Sequence, residues 1–225
     1  MRGRGHTRQL DRTKIVAAAL ALSREGGATA PSMRQVAARL DVDVSALYWH
    51  FPNKAALLAA AAQTAAGLVK LTVPAEGPWQ LRALELCRRI RAQLQDHPEL
   101  ALDEIGSTWT TPFNALATGQ LAAILEEASA APRETIFAAQ GLTHLVTAIT
   151  QSQQVTHESS RDGIVRFVRT LEPALPERLA EDWRDLVRLP TQESFDAYFE
   201  SCVAAMIAGL SARAKASGGA GPTQA

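Results

Sequence analysis

Apolar residues recur three or four apart along most of this chain, and no stretch alternates apolar and polar as a strand does. Ile15, Ala19 and Leu22 make the first stripe, on a helix predicted over 11–25 and stopped by Gly26-Gly27. Val36, Ala37 and Leu40 make the second, opened by Pro31-Ser32 with Ser32 as its N-cap. Asp41-Val42-Asp43 is too short and too polar to continue that helix. Asp43 then suits the cap of a third run, Val44 to Phe51, which carries two faces. Leu47 and Phe51, four apart, point inward; Ser45, Tyr48 and Trp49 share a face that can reach a partner. Asn53 caps a fourth, alanine-rich helix over 54–71. Thr72 to Pro78 holds two prolines and a glycine and marks a boundary. Beyond it the spacing predicts helices over 79–96, 113–128, 133–153 and 195–215. Shorter helices are predicted up to Ile105-Gly106, over 162–171 and over 177–189, with a polar break at Ser107 to Pro112.

Two short helices joined by a tight turn form the pattern of a helix-turn-helix. In that motif the second helix enters a DNA major groove and the first crosses the backbone. The ordered set Ile15, Ala19, Ser32, Arg34, Val36, Ala37, Leu40, Val42, Leu47, Tyr48, His50, Phe51, Asn53, Lys54 and Leu57 resembles the DNA-binding head of the TetR family of transcriptional repressors. Leu47-Tyr48-Trp49-His50, then Asn53-Lys54 and Ala56-Leu57-Leu58, is similar above all to the tetracycline repressors. The resemblance covers residues 11 to 62, about a quarter of the chain.

The resemblance implies a set of DNA contacts. The helix start at Ser32 would face a phosphate. Arg34 would meet a guanine edge, its guanidinium matching O6 and N7, and Val44, Ser45 and Ala46 would face base edges. Tyr48, Trp49, His50 and Lys54 would donate to phosphate oxygens. At Val44, Ser45 and Ala46 the tetracycline repressors carry other residues, so a different operator is expected. The turn also departs from the family: Asp41 stands where most members have glycine, at a position needing positive φ, which aspartate tolerates better than most side chains.

The fold class expected is all-α, with an N-terminal three-helix helix-turn-helix DNA-binding domain and a C-terminal helical ligand-binding and dimerisation domain. The expected segments are a flexible basic arm over 1–10, the head with its connecting helix over 11–73, the body over 74–215 and a disordered tail over 216–225. Charge follows this division. The chain is neutral, with 23 Lys and Arg against 23 Asp and Glu. Residues 1–54 hold nine basic side chains against four acidic, and the remainder is correspondingly acidic. A basic head on an acidic body suits a nucleic-acid contact confined to one end.

Cys87 and Cys202 fit neither a metal spacing nor a disulfide framework, which points to a reducing, cytoplasmic setting. No apolar run nears the ~20 residues of a membrane span. Arg2, Arg4 and Arg8 ahead of Ile15 to Leu22 imitate a secretory leader, but Asp11, Arg12 and Lys14 crowd the run and it continues into the head as a helix. His97, His144 and His157 with Asp103, Glu104 and Asp162 are ingredients for acid–base chemistry, yet no nucleophile elbow, phosphate loop or metal-ligand motif organises them. No enzyme, cofactor or metal site is expected.

Two body stretches carry more apolar surface than a monomer leaves wet, Ile136 to Ile149 and Phe195 to Leu210. The resemblance implies that they pack against their copies as a four-helix dimer interface. A homodimer on a palindromic operator follows, its two heads matching half-sites about 34 Å apart. The resemblance also implies a small-molecule pocket in the body, mostly apolar with a few orienting polar groups. Trp109, Thr110, Asn114, Gln140, His144, Thr147 and Gln151 are the candidates, polar-capable residues on otherwise apolar stretches. The function expected is a transcriptional repressor released from double-stranded DNA by a small-molecule effector. The alternative is a regulator or activator that acts without a ligand.

Overall fold

The computed structural model describes residues 10–26, 30–73, 75–101, 111–128, 131–158, 176–177 and 192–218. Every regular element among them is helical. The chain divides into two compact units, Met1–Thr72 with Ala92–Ala117, and Val73–Arg91 with Thr118–Ala225. A cut of the sequence at residue 74 separates Ala92–Ala117 from the unit in which it packs.

In the first unit, α1 (Arg12–Gly26) starts where the Asp11 carboxylate accepts the Lys14 backbone N–H at 2.8 Å. It seals Ile15 and Ala19 in the core, while Leu22 is only half-buried. α2 (Met33–Leu40) opens with a capping box. Ser32 Oγ accepts the Gln35 N–H at 3.2 Å, and Gln35 Oε1 accepts the Ser32 N–H at 2.8 Å, so two orphan donors are satisfied reciprocally. The helix closes on Asp41 at φ 54°, ψ 49°, the left-handed geometry anticipated there. Asp41 N–H and Val42 N–H then reach back to the Ala38 and Ala37 carbonyls.

α3 (Val44–Tyr48) is capped by Asp43, whose Oδ1 accepts the Ser45 N–H at 2.8 Å. It ends three residues earlier than the apolar spacing predicts. Proline at position 52 pushes its predecessor out of helical geometry, and the Leu47 carbonyl takes the N–H groups of both His50 and Phe51. α4 (Lys54–Leu68) is capped by Asn53, which accepts the Ala56 N–H at 2.8 Å. It too stops three residues short of the predicted end, because Val69 turns extended at φ −87°, ψ 132°. α1 packs on α2 and α4, and α2 on α3. A 3-10 turn, Pro98–Ala101, packs on α1 and α4 and seals Leu100.

The remaining helices are α5 (Trp79–Asp96), α6 (Pro112–Leu125), α7 (Pro132–Glu158) and α8 (Gln192–Gly218). In the second unit α7 packs on α8. α7 buries Ala139, Leu142 and Val146; α8 buries Phe199, Val203 and Ile207. Gly141 is what the close approach needs: a Cβ there would sit 2.8 Å from the Met206 methyl. Arg88 grips Glu200 with two bonds of 2.7 Å, and Arg91 donates to Asp196 at 2.6 Å and to Gln153 at 2.9 Å, fastening α5 to α7 and α8. The predicted helix end at Ile105-Gly106 lies outside the described residues, as do 162–171 and all of 177–189 except Glu177. So do the arm up to residue 9 and the tail from 219.

Candidate nucleic-acid interface

The segment after Asp43 is split between two environments. Leu47 and Phe51 are fully buried, each side chain contributing roughly 1.5–3 kcal/mol by leaving water. On the other face Tyr48 is 51 % exposed and Trp49 90 % exposed, and Ser45 is exposed with them. Burying one tryptophan and one tyrosine would repay the chain more than leaving them wet, so their exposure marks a surface kept for a partner. Val44, Ala46 and His50 are half-buried beside them.

The flanking candidates fall into place by capping. Ser32 is committed to its capping box, which fixes the start of α2, and Arg34 stands exposed two residues on. Among the described residues Arg34 makes no ion pair with Asp41 or Asp43. Lys54 is half-buried as the first residue of α4, directly after the Asn53 cap. Part of the basic charge of the first unit is spent internally: Arg39 holds Glu25 through two bonds of 2.7 and 2.6 Å. That pairing lowers the Glu25 carboxyl below its ordinary value, and the Ser45 hydrogen bonds do the same for Asp43.

One arginine on this surface has no signature in the sequence. Arg12, the first residue of α1, donates to the His50 carbonyl and lays its guanidinium over the Phe51 ring, 4.1 Å from the centroid. A contact between residues 38 apart leaves no periodic trace.

The effector candidates are dispersed. Trp109 and Thr110 lie outside the described residues. Asn114 is buried in the first unit; Gln140, His144, Thr147 and Gln151 lie on α7 in the second. Thr147 is buried and donates to the Thr143 carbonyl at 2.8 Å; the other three on α7 are half-buried. Partial burial holds the His144 imidazole below its ordinary pKa. A cavity of about 470 Å³ in the second unit is lined instead by Leu125, Arg133, Phe137, Met206, Leu210 and Arg213, among others, and by none of the candidates. Among the described residues no group of three or more His, Cys, Asp and Glu is placed to hold a metal ion. None of their helices is long and apolar enough to cross a membrane.

Residues 15–61 match the family model for bacterial regulatory proteins of the tetR family, and residues 73–214 match the tetracyclin repressor-like C-terminal domain. The chain belongs to the TetR family. As such it is a non-enzymatic, DNA-binding transcriptional regulator. It is 29 % identical over 155 residues to the class G tetracycline repressor of Vibrio anguillarum, covering 68 % of this chain and 73 % of the relative. Two solved structures are similar along much of its length. One is a TetR variant of Acinetobacter baumannii AYE in complex with minocycline, with 25 % identity, a TM-score of 0.62, and coverage of 89 % of this chain and 96 % of that one. The other is BioQ with its double-stranded DNA operator, with 27 % identity, a TM-score of 0.55, and coverage of 65 % and 89 %.

Proposed function

We propose that this TetR-family regulator is a repressor that binds a palindromic operator as a homodimer and is released by a small-molecule effector bound in its C-terminal domain. The observation that carries the reading is the exposed pair Tyr48 and Trp49 opposite the sealed pair Leu47 and Phe51. Ser32, Arg34, Val44, Ser45, Ala46, Tyr48, Trp49, His50 and Lys54 are the proposed DNA contacts. The BioQ–operator complex supports duplex DNA as the partner, and the minocycline complex supports a small molecule as the second ligand.

The dimer reading draws support from the second unit. Ile136, Phe137 and Tyr198 are large apolar groups left exposed. On α8 the exposed Ala197, Ser201, Ala204, Ala205, Ala208 and Ala212 share one face at helical spacing. Trp109, Thr110, Asn114, Gln140, His144, Thr147 and Gln151 are the proposed effector contacts. An effector shifts the protein between states only by its differential affinity for them. A cytoplasmic location follows from a target that is DNA.

Selection of bound sequences from a random duplex pool tests the reading, and a two-fold symmetric consensus is the expected result. On that duplex, Tyr48→Ala weakens binding, and Lys54→Ala weakens it with a salt slope shallower by about one. Arg34→Ala relaxes preference at one base position at a cost of about 1–3 kcal/mol. A consensus without symmetry would remove the dimer from the proposal; indifference to all three substitutions would remove the groove assignment.

A further inference from the structure

α3 is only five residues long, too short to be stable alone. Its start is held by the Asp43 cap. Its far end leads into Trp49 and His50, where the chain turns towards Pro52. Tyr48 and Trp49 are exposed, so little packing holds their side chains, and their aim depends on the backbone that carries them. That backbone is tied from outside by Arg12, which donates to the His50 carbonyl and covers the Phe51 ring at 4.1 Å. Arg12 is itself placed firmly, as the first residue of α1, between the Asp11 cap and the buried Ile15.

We propose that Arg12 is a positioning residue for DNA recognition: its guanidinium fastens the end of the recognition helix to α1 and thereby aims Tyr48 and Trp49. The inference rests on the contact roles given above to those two side chains. Arginine suits the task in three ways. Its planar fork can donate to a carbonyl while its flat face stacks on a ring, which an ammonium cannot do. A cation at a helix C-terminus is favoured by the helix dipole. The charge also does not titrate at any physiological pH.

Positioning differs measurably from direct phosphate contact. A residue that itself neutralises a phosphate contributes to the salt slope, and lysine can replace it. A residue that acts through the hydroxyl of Tyr48 and the indole of Trp49, both uncharged, changes affinity at constant slope, and lysine cannot replace it. The full-length protein is therefore titrated with the duplex it selects, over a salt series, as wild type, Arg12→Lys and Arg12→Met. Both variants are expected to bind about tenfold more weakly with the slope unchanged. Wild-type affinity in Arg12→Lys, or a slope reduced by about one in Arg12→Met, overturns the proposal in favour of direct contact.

A purely structural role is separated by repeating Arg12→Lys in a Tyr48→Ala, Trp49→Ala background. If Arg12 works through those side chains, its replacement there costs less than about threefold. An equal cost in both backgrounds overturns the positioning role and leaves the contact roles standing. If the double-alanine protein binds as wild type does, the contact roles fail, and the positioning role falls with them.

Discussion

Asp41 is the residue at which the turn of the motif departs from its family, and its energetics are simple. A left-handed backbone costs an L-residue roughly 1–2 kcal/mol, less for aspartate, and nothing for glycine. Asp41→Gly is thus expected to leave the thermal midpoint unchanged or to raise it by a few degrees. Asp41→Val, a β-branched residue at φ 54°, is expected to lower stability by about 2 kcal/mol. Thermal unfolding of the two variants checks this, and a Val variant as stable as wild type would contradict the assigned geometry. Cys87 offers a second residue-scale test. Burial first, and the Glu200 charge second, push its thiol from 9.0 up to about 12. Between those values the unfolded chain has lost the proton and the native chain has kept it. The native state then binds more protons, so stability falls as pH rises through that window. Urea midpoints compared at pH 8 and pH 10.5 should drop further in wild type than in Cys87→Val. An equal drop would place the thiol in a wetter setting than the packing shows.

At the scale of elements, helices announced themselves wherever a cap and a stripe coincided. Ser32, Asp43 and Asn53 were legible as caps because a short acceptor before an apolar run satisfies orphan N–H groups, and each does so. The helix ends were less legible. α3 and α4 both stop three residues early, for reasons lying downstream of the stripe: the proline at 52 and the extended Val69. What the pattern hid altogether are ties across the chain. Glu99 in the 3-10 turn is buried and accepts from Arg24 Nε at 2.6 Å, with His97 Nδ1 3.4 Å from the same oxygen. Its second oxygen is buried without a hydrogen bond. Arg24→Met would leave that carboxylate without its 2.6 Å partner and is expected to destabilise by about 2 kcal/mol, below the usual loss for a fully buried pair because Arg24 is half exposed. Arg24→Met with Glu99→Leu removes both charges and should recover most of that loss. Chemical denaturation of the two single variants and the double variant measures the coupling, and additive losses would show that the pair contributes nothing.

For the molecule as a whole, the basic head and acidic body pointed to an interface at one end, and Tyr48 and Trp49 stand exposed there. The effector site was not legible in the same degree, because a pocket is made by side chains far apart in sequence while a groove-reading helix is one continuous stretch. Polar residues on α7 mark a helix that serves several faces at once: Thr147 and Gln151 are spaced alike on paper, yet one is sealed and the other half-buried. The same ambiguity touched the proposed dimer stretches. Phe199, Val203 and Ile207 turn out to be internal to the second unit, leaving the alanine-rich opposite face of α8 for a second copy. That face permits close helix approach, and a charge in its middle would be desolvated without a partner if two copies met there. Ala205→Glu is therefore expected to yield a monomer by analytical ultracentrifugation. The monomer should keep its helical circular dichroism, since Ala205 is exposed and supports no internal packing. Its affinity for the symmetric operator should fall by at least a hundredfold, as one head alone forfeits the second half-site, while weak non-specific binding to any duplex persists. A variant that remains dimeric would move the interface elsewhere on the second unit; one that becomes monomeric with operator affinity intact would show that pairing of two heads is not how this regulator reads DNA.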